Sequence, residues 1–349
     1  MRKIRVGIIG AGSLSEYHVE AYRRNPAVEI AAVCDSNMER ALNKAKEWDV
    51  QAVYSDYNEM FALSSLDAVS IITCNNTHAP IAISALNAGI NVLFEKPPAI
   101  NAAEALQMKE AADRNNRLLM FGFVRRFAQN TQFVKEIIEN GLLGNIYYAK
   151  TGILRRCGNP GGWFANKAIS GGGPLIDLGV HIIDLAIYLM GRPKAVAVFG
   201  NTSIYPGDRK NIKGISRYVP ADAETQESNV ENFANAIIRF DNGSCLYVET
   251  SWTMNIKSDT FYMDLFGDRG GACIGPKTEI YSEQNNYLVD IKPVLEDYFF
   301  NMNNSFMAEI NHFVDCVTRG APCLCPAEDG VQIMKIIDAV YTSAKTGEL

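Results

Sequence analysis

The chain is short of positive charge. Lysine and arginine number 33 against 39 aspartates and glutamates, giving a net charge of −6 and a pI near 5.4. That balance argues against a general nucleic-acid binder. Long apolar runs are also lacking: none approaches the ~20 residues needed to cross a bilayer, so no membrane association is expected. The opening "MRKIRVGIIGAGS" has a basic start and an apolar stretch, but the stretch is short and breaks into glycines. It reads as a first strand rather than an export signal. Cysteines stand at 34, 74, 157, 245, 273, 316, 323 and 325, with no CxxC among them. Cys323 and Cys325 form a lone CxC with no His or Cys cluster read beside it, so no metal site is expected. Reduced thiols and a cytoplasmic location follow from the size and the missing export signal. There is no internal repeat and no low-complexity tract.

At 349 residues the chain exceeds what one core usually holds, so two domains are expected, 1–123 and 124–349. In the first, "KIRVGII", "VEIAAVC", "AVSIIT", "NVLFE" and "RLLMFG" read as strands separated by segments of helical periodicity. That alternation predicts a doubly wound parallel sheet, a Rossmann-type α/β domain. From 194 to 282 several strands follow one another without helices, which predicts an α+β domain on a large, mostly antiparallel open sheet. "FDNGS" signals a hairpin with a type I′ turn. Residues 204–228 are polar and read as a surface excursion, and helices near 303–319 and 327–346 finish the chain.

"VGIIGAGSLSEYH" puts Gly10-Ala11-Gly12-Ser13-Leu14-Ser15 between a strand and a helix. The pattern is G-x-G-x-x-G/A with Ser15 in the third place. Gly10 permits the tight turn, and Gly12 lets backbone N–H groups approach a pyrophosphate at the helix N-terminus. Asp35 ends the next strand, 23 positions after Gly12. An acid there accepts the ribose hydroxyls and repels a 2′-phosphate, which favours NAD over NADP. Ser36 and Arg40 nearby soften that preference, and the alternative for Asp35 is a helix N-cap.

"GGGPLIDLGVHIID" (171–184) opens a second stretch of interest. The helix it predicts is apolar almost all round, as a buried helix is. Yet Asp177, His181 and Asp184 share one stripe at spacings of four and three. The stripe is either a satisfied internal network or a place where chemistry is done.

"FEKPPAI" stands at the end of the strand 91–95, and together with the stripe it makes the chain resemble the Gfo/Idh/MocA oxidoreductase family. "GFVRRF", "GGWF", "ETSW" and the tail "EINHFVDCVTRG…AEDGVQIMKIIDAVYTSAKTG" carry the same resemblance, which covers nearly the whole chain. The resemblance implies NAD-dependent hydride transfer to or from a sugar, polyol or cyclitol, and a homodimer or homotetramer formed through the C-terminal sheet. Lys96, Asp177 and His181 match the family's catalytic residues. Gly10, Gly12, Ser13, Leu14, Asp35, Ser36, Asn75, His78, Glu95 and Lys96 are the expected cofactor contacts. The proline usual near position 75 is absent. Lys96, Asp177 and His181 are also expected on substrate, with Arg126, Arg155 and Trp163. Arg126 has a surface ion pair, and Trp163 a core position, as its alternative. Asp184 reads as a substrate contact or as part of the His181 network, Tyr188 as packing, and His18 and His312 as structural.

The chemistry suits these residue types. Oxidising a secondary alcohol needs a base, and histidine titrates near neutral pH. A lysine ammonium stabilises a developing alkoxide. Two other readings remain open: an NAD-dependent glycoside hydrolase, and a sugar sensor without catalysis. The intact Lys96, Asp177 and His181 count against the sensor.

Overall fold

A computed structural model describes residues 2–209, 212–214 and 227–348. The chain opens with β1 (Ile4–Ile9), α1 (Ser15–Arg24), β2 (Val28–Cys34), α2 (Met38–Glu47), β3 (Ala52–Tyr54) and α3 (Tyr57–Leu63). It continues with β4 (Ala68–Ile71), α4 (Asn75–Asn87), β5 (Asn91–Glu95), α5 (Ala102–Asn115) and β6 (Leu119–Gly122). The six strands are parallel in the order β3-β2-β1-β4-β5-β6. The order reverses between β1 and β4, the position where ligands meet a doubly wound sheet. Val6, Ile8, Val69, Ile71, Val92 and Phe94 are fully buried, which accounts for the near-continuous apolar runs of these strands. The sequence reading has no counterpart to β3, because three half-buried residues are too few for a periodic signal.

The rest of the chain runs α6 (Gln129–Glu139), β7 (Ile146–Leu154), α7 (Lys167–Ser170), a π-helical turn at Leu175–Gly179, and α8 (Val180–Leu189). Then come β8 (Ala195–Ser203), β9 (Phe233–Phe240), β10 (Cys245–Ser251), β11 (Thr260–Gly267), β12 (Gly271–Ile274), β13 (Glu279–Gln284) and β14 (Tyr287–Ile291). Helices α9 (Met302–Arg319) and α10 (Ala327–Thr346) finish it. The eight strands form one sheet, β14-β13-β12-β11-β7-β10-β9-β8, antiparallel except where β10 pairs with β7. Register puts Val198, Ile238, Leu246, Ala149, Leu265, Ala272 and Ile280 in one row across seven strands. All are buried, so this face is the core of the second unit. Shifting one residue along gives the row Phe199, Ile237, Tyr247, Lys150 and Asp264 on the other face, where Phe199 is 47% and Ile237 49% exposed.

The β9–β10 hairpin forms as expected, but its turn is wider than type I′. Of Asn242 and Gly243 only the glycine has positive φ, and the Phe240 N–H bonds the Ser244 carbonyl. Of the excursion at 204–228, residues 210, 211 and 215–226 lie outside the described residues.

The chain divides into two compact units, Met1–Val124 with Met302–Val331, and Arg125–Asn301 with Gln332–Leu349. The sequence reading assigns all of 124–349 to one domain, whereas α9 belongs to the first unit. There Phe306 stacks on Tyr17 at 5.1 Å and tilts against His18 at 5.4 Å between ring centroids.

Length and composition do give one candidate membrane span, Lys167–Leu189, contrary to the sequence reading. It is 23 residues long, but 89% of its most apolar window is buried inside the protein, as an interior helix is. No disulfide links any of the eight cysteines.

Candidate active site

In the first unit the glycine loop joins β1 to α1. Gly10 has φ +93°, and a Cβ there would stand 2.2 Å from the Ile72 carbonyl oxygen, so no other residue fits. A Cβ at Gly12 would meet nothing within 4 Å, which leaves clear space beside the N-terminus of α1. Ser15 fills the small third position: it is fully buried and its Oγ donates to the Gly12 carbonyl at 2.5 Å. Ser13, at the mouth of the loop, is exposed, and Leu14 is half-buried. Such a loop, with free space at a helix N-terminus, fits a dinucleotide pyrophosphate.

Asp35 stands at the tip of β2. Its Oδ2 accepts from the Ala11 N–H at 2.8 Å and from Arg40 Nε at 3.1 Å, and its Oδ1 from the Asn37 N–H at 2.9 Å. The helix N-cap is Asn37, which accepts from the Arg40 N–H, so the capping alternative for Asp35 does not hold. Its carboxylate instead ties the glycine loop to the end of β2. Ser36 beside it is exposed.

Two expected cofactor contacts face inward. Glu95 is buried, and its Oε1 lies 2.8 Å from Nε2 of fully buried His18, whose Nδ1 is 3.3 Å from Ser70 Oγ. His18 is structural, as read; the Glu95 side chain is spent on it. His78 is also fully buried, with Nδ1 2.9 Å from the Pro97 carbonyl and Nε2 3.2 Å from that of Thr73. Burial pushes its pKa below the ordinary histidine value, although both carbonyls favour the charged form. Its ring braces the Lys96-Pro97 segment, whose peptide bond is cis. Lys96 is half-buried and Asn75, the first residue of α4, is buried.

In the second unit the polar stripe is divided. Asp177 lies in the π-helical turn, not in the regular helix the spacing predicts. Such turns recur at functional sites. Its Oδ2 accepts from Nε1 of fully buried Trp252 at 3.1 Å. His181, one turn on, is half-buried. Asp184 is buried and takes Arg126 in two bonds, Nη2 to Oδ1 at 2.5 Å and Nε to Oδ2 at 3.0 Å. Arg126 has no exposed surface, which corrects both readings made of it, substrate contact and surface pair. The ring of Tyr188 faces its guanidinium at 4.8 Å. The adjacent Arg125, not singled out from sequence, lies between the rings of Phe261 and Phe300, 4.6 Å from each.

The glycines before the stripe serve packing. A Cβ on Gly173 would stand 2.0 Å from the Glu231 carbonyl oxygen. The Glu231 carboxylate accepts from the N–H groups of Gly173 and Leu175, at 3.0 and 3.2 Å, and from Tyr341 Oη at 2.9 Å. Burial raises its pKa. Glu231 thus anchors the turn that carries Asp177, and sequence reasoning missed it because it lies more than fifty residues away. Trp163 is half-buried and stacks on Phe164 at 3.8 Å between centroids, and Arg155 is half-buried beside the end of β7.

One expectation fails on its premise. Cys323 does have neighbours: ligand atoms of His312, Cys316 and Cys323 all lie within 4.8 Å of one another.

Comparison with known proteins bears on the whole chain. Residues 4–123 match the family model described as "Oxidoreductase family, NAD-binding Rossmann fold", and 135–348 its companion, "Oxidoreductase family, C-terminal alpha/beta domain". The chain is 34% identical to D-glucoside 3-dehydrogenase of Escherichia coli K12, over 99% of this chain and 96% of that one. It is 25% identical to myo-inositol 2-dehydrogenase of Thermotoga maritima, covering 94% and 92%. Levoglucosan dehydrogenase in complex with NADH has the same fold, with a TM-score of 0.85 at 23% identity, covering 99% and 98%.

Proposed function

The chain belongs to the Gfo/Idh/MocA oxidoreductase family, and from that premise we propose that it oxidises a secondary alcohol of a sugar, polyol or cyclitol with NAD. The observation that carries the reading is the similarity to D-glucoside 3-dehydrogenase along both units. That relative makes a pyranoside hydroxyl the first substrate to try.

Gly10, Gly12, Ser13, Leu14, Asp35, Ser36 and Asn75 hold the dinucleotide in this reading, with Lys96 near its reactive end. When bound, the nicotinamide supplies the hydride acceptor. His181 takes the hydroxyl proton on a ring nitrogen. Asp177 orients the imidazole or a second substrate hydroxyl. Lys96 donates to the alcohol oxygen and stabilises its charge as the proton leaves. Arg155 and Trp163 line the substrate. If His181→Asn leaves kcat and its pH profile unchanged, the base is another group, Lys96 first.

NAD rather than NADP is favoured by Asp35, whose carboxylate accepts ribose hydroxyls and repels a phosphate. Arg40 on the same carboxylate offsets part of that repulsion. A kcat/KM at least about tenfold higher with NAD supports the assignment, since hydrogen bonds to a charged group are worth ~1.5–3 kcal/mol. A higher value with NADP would reverse it.

The outer sheet row of Phe199, Ile237 and Tyr247, bordered by the Lys150–Asp264 pair at 3.3 Å, supports a homodimer or homotetramer through that face. Light scattering of wild type and of Ile237→Glu tests it. Eight thiols without a disulfide support a reducing compartment, the cytoplasm.

The deciding experiment incubates the purified protein with NAD and a panel of glycosides, hexoses, anhydrosugars and inositols, following NADH absorbance and sugar products. NADH formation lost in Lys96→Ala supports the reading. Glycoside cleavage without NADH accumulation would replace it with hydrolysis. Dinucleotide binding with neither reaction, on every member of the panel, would favour a sensor.

A further inference from the structure

The cluster at the end of α9 takes no part in the chemistry just described. His312 and Cys316 stand four residues apart on the helix, on one face. Gly320, with φ +67°, turns the chain back, and the connector to α10 brings Cys323 against them. His312 Nε2 lies 3.4 Å from Cys316 Sγ. Tetrahedral zinc with ordinary Zn–N and Zn–S bonds sets that edge at ~3.6 Å. The Cys316 and Cys323 sulfurs lie within 4.8 Å of each other and of the histidine nitrogen. The Leu324 N–H donates to His312 Nε2 at 2.9 Å, so the proton of the neutral ring is on Nδ1, and the Nε2 lone pair that accepts this bond is the one a metal would take.

We propose that His312, Cys316 and Cys323 form a binding site for a thiophilic divalent metal ion, Zn2+ in the first instance. One imidazole and two thiolates are a zinc donor set, and the three leave a fourth position for water. Binding releases two thiol protons and leaves a site of zero net charge, which suits half-buried ligands. The Leu324 N–H exchanges its histidine acceptor for a thiolate sulfur. The ion clips the 320–326 connector to α9. That connector is tied to the sheet of the first unit, because the Phe121 N–H at the end of β6 donates to the Cys325 carbonyl at 3.2 Å. The ion acts as a clip on the connector and takes no part in hydride transfer.

The test uses untagged full-length protein, loaded with Zn2+, dialysed, and assayed for bound metal. One ion per chain is expected, with a rise in Tm on zinc addition. Cys316→Ser and Cys323→Ser should lose both, while Cys245→Ser, in β10 of the second unit, keeps both. Wild-type protein loaded with Co2+ should show thiolate-to-cobalt charge-transfer absorption, a readout that needs no variant. No retained metal, equal retention in the cluster variants, or a cobalt spectrum without thiolate character would each overturn the proposal. So would a wild-type protein that retains no zinc but forms a Cys316–Cys323 disulfide on mild oxidation, which would make the cluster a thiol pair.

Discussion

Asp177 and Asp184 stand about two turns apart on one apolar stretch, in the π-helical turn and in α8, and the protein treats them oppositely. Asp184 meets a guanidinium in a bidentate pair with no exposed surface on the arginine. Asp177 meets a neutral indole N–H. The first carboxylate is neutralised where it lies, and its work is to hold α8 against the segment that carries Arg126. The second lies one turn from the half-buried His181, in the turn that Glu231 anchors. The same residue type is closed into a buried bidentate pair at one position and set in a π-helical turn beside the proposed base at the other.

Breaking the buried pair should have the largest effect on stability. Asp184→Ala removes the bidentate carboxylate from a fully buried guanidinium, and about 3–5 kcal/mol should be lost in denaturant unfolding. A loss below ~1 kcal/mol would mean that the pair is not the buried bond described. Asp177→Asn keeps an acceptor for Trp252 and removes only the charge. Stability should change by less than ~1 kcal/mol while kcat/KM falls by about a hundredfold or more. Comparable losses of stability in both variants would erase the distinction. Trp252→Phe sharpens it by removing the indole donor, and kcat/KM should drop by about tenfold as Asp177 loses its fixed position.

The smallest effect concerns a buried ring set between two backbone carbonyls. Burial lowers the pKa of His78 in the fold, so below the ordinary value of 6.5 the unfolded chain binds a proton that the folded chain refuses. The stability tied to the neutral ring is present above that pH and is lost as pH falls toward the folded value. Unfolding free energy should decline from pH ~6.5 to ~5 by up to about 1 kcal/mol, and the decline should flatten in His78→Asn. An unchanged slope in the variant would assign the acid sensitivity elsewhere.

What could be read from sequence was local. The strand–glycine–helix grammar gave the first unit, and Asp35 does meet the glycine loop, because both lie at ends of adjacent strands. The polar stripe was visible as a spacing, but its division was not. Arg126 and Trp252, which answer Asp184 and Asp177, lie 58 and 75 residues away, and nothing in the spacing names them. The π-helical turn leaves no periodic mark. His312 and Cys316 sit at helical spacing and Cys323 follows a glycine turn, so their meeting was within reach, but pairing cysteines only with near neighbours in sequence hides it. Glu95 and His78 follow the strand ends where ligands bind, and position alone does not say which way a side chain turns.

Strand β7 has a consequence for how the chain is made. It sits inside the large sheet between β10 and β11, both of which emerge about a hundred residues later. At ~5–20 residues per second on the ribosome, that wait lasts roughly 5–20 seconds. Through that interval β7 has neither neighbour, with both backbone edges open and its apolar face without a core. Unpaired edges of this kind recruit strands from other chains. The window for loss to aggregation thus falls during translation, before the first residue of β10 has left the exit tunnel.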